Sequence, residues 1–136
     1  MDTIRIGIVG AGETGTPLLR QLLAADFVDV VGVADLDQDA PGMALARAHA
    51  RPTTDDFEDI AALGEGVDIL IDTTGVAVVR DRLRERMQET GNRHTIIMHE
   101  RIAVLMMSLS QGQLVATKHD VVDYESPAAL GASSAE

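Results

Sequence analysis

"IRIGIVGAGETGTPLLRQLLAADFVDVVGVAD", residues 4–35, decides the fold of this chain. Residues 4–9 form a short apolar run that reads as a buried strand. Gly10, Gly12 and Gly15 follow at the spacing of a dinucleotide-binding turn. From Thr16 the apolar residues change period: Leu18, Leu19, Leu22 and Leu23 recur at helical intervals. Pro17 fits only the first turn of a helix, where its missing N–H is not needed. The valine-rich run 27–34 is a second strand. Strand, glycine turn, helix and strand make a βαβ unit, and a helix that joins parallel strands implies a sheet covered on both faces.

The alternation continues along the chain. Residues 41–50 read as a helix opening with Pro41, 51–54 as a short strand, and 55–63 as a helix ended by Gly64 and Gly66. Residues 67–72 are a fourth strand and 76–90 a helix with Val76, Val79, Leu83 and Met87 on one face, closed by Gly91. Residues 94–98 are a fifth strand and 100–110 a last helix. The expected fold is a doubly wound α/β sheet of about five strands, Rossmann-like, in the order 3-2-1-4-5. The expected division is a dinucleotide-binding domain over 1–112 and a tail over 113–136, either partly disordered, as in its final stretch, or dimerising. "RDRLRER" (80–86) alternates in sign and reads as a solvated helix face.

Composition narrows the function classes. The chain has 136 residues, 46% of them apolar, which suits one folded domain. It has no cysteine, so disulfides and thiolate metal sites are excluded, and a reducing compartment is expected. No signal peptide or membrane-length apolar run is visible, and the cytoplasm is the expected location. The formal net charge of -11 argues against nucleic acid and anionic membranes as partners. The histidines lack metal-ligand spacing, so no metal is expected.

The glycine turn carries chemistry because of its context. Gly10 permits the tight turn, Gly12 leaves room for a pyrophosphate, and Gly15 lets helix and strand approach. Ala11, Glu13 and Thr14 complete the loop, and the helix start offers its positive end to the phosphates. A carboxylate beside phosphate costs affinity unless it points to solvent, which makes Glu13 a question for the structure. The motif requires an acid about 20 residues further on, and Asp35 stands there, suited to an adenosine ribose. Asp37 and Asp39 follow it, with no arginine before Arg47, so NAD is preferred over NADP. Thr73, Thr74 and Gly75 end the fourth strand and either cap the next helix or line the nicotinamide-ribose site.

"IGIVGAGETGTPLLRQLL" with "VVGVADLD" resembles the N-terminal domain of the glucose–fructose oxidoreductase and inositol dehydrogenase superfamily, and is similar to the cofactor domain of homoserine dehydrogenase. The resemblance covers residues 3–103 and implies an NAD-binding module without specifying a substrate. Asp35, Asp37, Asp39, Ala40, Pro41, Gly42, Met43, Leu45, Ala46 and Arg47 also resemble a pattern of small nucleotide-binding modules akin to an input domain of some bacterial sensor kinases. In the dehydrogenase superfamily the place of Glu100, Arg101 and Ile102 reads Glu-Lys-Pro, and the lysine donates a proton near the substrate. Arg101 falls at that lysine. Arginine keeps its proton, so it cannot act as the acid, though it could hold an anionic group; the other reading is a plain surface residue. His99 is either an acid–base group or structural.

Dehydrogenases resembling this module add a substrate domain, for which little chain follows the fifth strand. A nicotinamide face open to water lacks positioning and exclusion. Two functions therefore stand: a stand-alone NAD(H)-binding module, acting as a nucleotide or redox sensor or a subunit, and a small oxidoreductase completed across a dimer with Arg101, His99 or Thr74. A remnant domain that has lost its ligand is a third. Ile102, Leu105, Met106 and Leu109 form an apolar stripe on the 100–110 helix, which predicts a homodimer through that helix unless the tail folds over it.

Overall fold

In the computed structural model, residues 2–13 and 15–115 are described. Thr14 of the turn and the tail from 116 onward, including the stretch expected to be mobile, lie outside the described residues. The chain divides into two units, Met1–Ala103 and Val104–Glu136.

The first unit is built on a five-stranded sheet: β1 (Ile4–Val9), β2 (Val28–Ala34), β3 (Thr53–Thr54), β4 (Ile69–Asp72) and β5 (Ile96–Met98). The order is β3-β2-β1-β4-β5, and the pairs are parallel. This is the expected Rossmann-like arrangement. Four helices follow their strands: α1 (Thr16–Ala24), α2 (Pro41–Ala48), α3 (Phe57–Ala61) and α4 (Ala77–Thr90). The fifth, α5 (Glu100–Gln111), runs across the boundary between the units. No described helix is long and apolar enough to cross a membrane.

Local signals set the ends of these elements. Pro17 and Pro41 occupy the first turns of α1 and α2, as their fixed φ favours. Asp56 caps α3 by accepting the Glu58 N–H at 2.9 Å. Gly91 closes α4 in the left-handed conformation. Several elements are shorter than their apolar runs. β3 is only Thr53–Thr54, although the Pro52 carbonyl still accepts the Val33 N–H at 3.0 Å, and 55–56 form the turn and cap of α3, because Asp56 gives its side chain to the backbone rather than joining the helix.

The core alternates across the strands. Val9, Ala34 and Leu70 pack with Ile60 and Ala61 of α3 and Leu83 of α4. On the strands' other face lie residues such as Ile8 and Val33, both nearly inaccessible, as are Leu19 of α1 and Met43 of α2. Gly7 and Gly32 sit opposite each other on β1 and β2, and a methyl added at either would come within 2.7 Å of the Ile60 side chain. The paired glycines are the socket into which α3 inserts Ile60.

Ion pairs pin the periphery. Arg82 and Arg86 of α4 each bond Glu58 of α3 at 2.7 Å. The expectation of a purely solvated "RDRLRER" face is therefore corrected: the fold brings an acid from another helix onto two of its arginines. At the amino ends of the strands, Arg5 and His94 both reach the buried Asp68, at 2.8 and 2.6 Å. The Arg5 guanidinium, then the Arg5 backbone N–H and His94, hold the Asp68 carboxyl far below the usual aspartate range.

Candidate functional site

The glycine turn lies at the carboxyl end of β1, at the centre of the sheet. Gly10 has φ of 106°, a conformation that L side chains rarely adopt, and a side chain there would run into the Thr73 hydroxyl. A methyl on Gly15 would lie 2.5 Å from the Gly10 carbonyl oxygen, so the start of α1 needs a glycine to approach β1. Gly12 has open space where a side chain would project, with nothing within 4 Å. The turn is thus close-packed beneath and open above, the shape a bound pyrophosphate requires. Thr16 locks the loop from the first turn of α1, donating its hydroxyl to the Gly12 carbonyl at 2.7 Å and the Ala11 carbonyl at 3.1 Å. Glu13 is exposed, which leaves its charge hydrated.

Asp35 stands one residue beyond β2, at the position the spacing requires. Its Oδ2 accepts the Ala11 N–H at 2.7 Å and its Oδ1 accepts the Asp37 N–H at 2.8 Å. Each carboxylate oxygen has a second lone pair, so both remain able to accept a hydroxyl. Asp37 and Asp39 are exposed in the same loop, which makes it strongly acidic. Sequence spacing puts Arg47 beyond this loop. The fold returns it: its guanidinium donates to the Gln38 carbonyl at 3.0 Å and to Gln38 Oε1 at 3.1 Å. One cation therefore offsets part of the acidic field.

A cavity of about 330 Å³ opens beside Asp35. Asp35, Leu36, Phe57, Thr74, Val76 and Val78 are among its lining residues. Leu36 is 90% exposed and Val78 72% exposed, so both offer apolar surface to a ligand rather than to the core. A slot with mostly apolar walls and two carboxylates in its lining, Asp35 and Asp55, suits a flat heterocycle attached to a sugar. Sequence reading identified the acid but not this slot, whose walls come from the β2 end, the start of α3 and the start of α4.

The two threonines after β4 have different roles. Thr73 is buried and donates its hydroxyl to the carbonyls of Gly10 at 3.1 Å and Val9 at 3.3 Å. It clamps the glycine turn from below and makes no cap to α4. Thr74 faces the cavity, accepts the Val76 N–H at 3.2 Å, and donates to Asp72 Oδ1 at 2.7 Å. Gly75 takes φ of 67° between them and α4.

Asp72 was not legible as a site residue, because it ends an apolar run and looks like a strand terminus. It is only 2% exposed, and its Oδ2 lies 3.3 Å from Nδ1 of His99. His99 follows β5 directly and its carbonyl accepts the Ile102 N–H in the first turn of α5. Arg101 is exposed. Among the described residues no cluster of acids and histidines is suited to a metal ion.

The strand order and the glycine turn define a Rossmann-like α/β architecture. No protein-family model matches the chain. A curated relative, the acetaldehyde dehydrogenase of Alkalilimnicola ehrlichii, is 32% identical over 93 residues, which cover 65% of this chain and 30% of that protein. The chain thus spans about a third of the length of such relatives. Among solved structures, GenD2 from gentamicin A biosynthesis, in complex with NAD, aligns with a TM-score of 0.55 and 21% identity over 71% of this chain and 27% of its own. The scyllo-inositol dehydrogenase of Lactobacillus casei, with bound NAD(H) and scyllo-inositol, aligns with a TM-score of 0.52 and 17% identity over 70% of this chain and 27% of its own. The resemblance to inositol dehydrogenases read from the sequence is borne out in the fold.

Proposed function

We propose that this chain is an NAD(H)-binding domain that works as a nucleotide- or redox-sensing module or as a subunit of a larger assembly, in the cytoplasm. The observation that carries this reading is the bond from the Ala11 N–H to Asp35, which sets an open glycine turn and a ribose-competent carboxylate side by side, next to an apolar slot. Gly10, Ala11, Gly12, Glu13, Thr14 and Gly15 form the pyrophosphate loop, Asp35 takes the adenosine ribose, and the slot takes the adenine. Thr74 lines the slot together with Asp35, Gly75 follows it, and Thr73 supports the turn from below. NAD is the favoured cofactor because a 2′-phosphate would meet Asp35, Asp37 and Asp39, against Arg47 alone. Solved structures of this fold with NAD or NAD(H) bound, and one with NADP, support a dinucleotide as the ligand, and the acidic loop favours NAD.

The experiment is calorimetric titration with NAD⁺, NADH and NADPH. NAD⁺ or NADH binding more tightly than NADPH is the expected result. Absence of binding by all three at millimolar concentration would leave the remnant reading in its place. A second reading, a small NAD-dependent oxidoreductase completed across a dimer, is favoured by the contact between Asp72 and His99. A homodimer through α5 is part of both readings: Ile102, Leu105, Met106 and Leu109 are between 38% and 74% exposed, too much apolar surface on one helix for it to be left in water.

A further inference from the structure

We propose that Asp72 and His99 form a proton-transfer site for the oxygen of a small alcohol or its carbonyl, beside the end of the dinucleotide that lies away from Asp35. The proposal rests on the dinucleotide reading above and adds to it a chemistry and a substrate class.

Strand register places the pair. Ala34 of β2 aligns with Val9 of β1, Val9 with Asp72 of β4, and Ile71 of β4 with Met98 of β5. Asp72 and His99 are therefore the next step along neighbouring strands. Asp35 stands on one side of the glycine turn and the pair on the other, with strands about 4.8 Å apart. A dinucleotide held by its ribose at Asp35 and its pyrophosphate at the turn directs its second nucleoside toward β4 and β5. Ligands of open α/β sheets sit at these carboxyl ends.

The hydrogen bonds give the pair its chemistry. Asp72 Oδ1 accepts both the Thr74 N–H at 2.9 Å and the Thr74 hydroxyl at 2.7 Å. This fixes the carboxylate and directs Oδ2 to His99 Nδ1. A buried carboxylate at Nδ1 selects the tautomer with its proton there, which leaves the lone pair on Nε2, at the opposite edge of the ring. The His99 side chain is 27% exposed, so it is neither sealed in the core nor free to rotate in water. Asp72 is a positioning residue in this arrangement and Thr74 positions Asp72.

The step balances as follows in the oxidative direction. The alcohol O–H proton passes to His99 Nε2, while the Nδ1 proton stays between His99 and Asp72. The carbon-bound hydrogen would leave with its electron pair as hydride to the acceptor that a nicotinamide would supply when bound, as the carbon–oxygen double bond forms. In reverse the imidazolium returns the proton to the oxygen.

Two measurements on the full chain test this. Long-range proton–nitrogen NMR with labelled histidine, assigned by His99→Gln, is expected to show the neutral His99 ring protonated at Nδ1. In Asp72→Asn part of the population should move its proton to Nε2. A wild-type ring protonated at Nε2 would overturn the proposal. Separately, NADH binding is measured first, then its oxidation with acetaldehyde, glyceraldehyde and glyoxylate. Slow oxidation with at least one of them is expected, reduced by about 100-fold in His99→Gln with NADH affinity preserved. Wild-type protein that binds NADH yet reacts with none of the three, or a His99→Gln variant as fast as wild type, overturns the proton-transfer site alone. Failure to bind NADH overturns the dinucleotide reading and this proposal together.

Discussion

The Ala11 N–H donates to Asp35 Oδ2 at 2.7 Å, so the acid after β2 also anchors the glycine turn. The glycine turn and the acid that ends the βαβ unit, the two parts of the proposed nucleotide site, are one hydrogen-bonded unit.

Replacing Asp35 with Ala acts on both parts. It removes the ribose acceptor and releases the Ala11 amide from its charged partner. A hydrogen bond to a charged group is worth about 1.5–3 kcal/mol, so NADH affinity is expected to fall by about tenfold to a hundredfold. NADPH, which loses a repulsive neighbour, falls less or gains. Calorimetry reads both; an unchanged preference between the two cofactors would remove Asp35 from the ribose site.

Gly42 opens α2 against the same loop. Its N–H donates to the Ala11 carbonyl at 2.8 Å, and a methyl there would come within 2.8 Å of the Ala11 Cβ and carbonyl oxygen. Helix propensity favours alanine by about 1 kcal/mol. Forced overpacking costs about 1–3 kcal/mol and displaces a backbone that cannot yield without breaking the turn. The balance is a loss of up to about 2 kcal/mol, so Gly42→Ala is expected to lower Tm by a few degrees and to weaken NADH binding. A rise in Tm would show that the loop relaxes freely.

Acid stability depends on Asp68. Its folded pKa lies below the unfolded value because of Arg5, with His94 assisting. A carboxyl depressed in this way contributes stability that is present above the unfolded aspartate pKa of about 3.9 and lost as pH falls below it. Asp68→Asn should lower Tm at neutral pH, and the gap from wild type should close as the pH falls below about 4. A gap independent of pH would assign the loss to packing rather than charge.

The exposed stripe on α5 predicts self-association. Leu105 is 52% exposed, so Leu105→Glu should cost a monomer about 0.5 kcal/mol or less. Sedimentation is expected to show a wild-type dimer and a monomeric variant with similar Tm. A wild-type chain that stays monomeric at every concentration would refute the dimer.

Much of this was legible in the sequence because it depends on local patterns. The change of apolar period after Gly15, the prolines at helix starts and Gly91 each act within a few residues. The turn and Asp35 were legible for the same reason: a fixed spacing within one βαβ unit fixes their relation. The slot at Leu36, Phe57 and Val78 was not, because its walls come from separate elements. Nor were the Arg82 and Arg86 bonds to Glu58, the return of Arg47 to Gln38, or the role of Thr73 as a clamp.

The sequence by itself determined the order of strands and helices, the glycine turn and the acid that serves it, since backbone conformation and apolar periodicity are written into neighbouring residues. Only the tertiary structure decided which side chains meet at the carboxyl ends of the strands. Parallel pairing puts Asp72 beside His99, 27 positions apart and on different βα units, at a distance that a hydrogen bond requires and linear spacing does not encode.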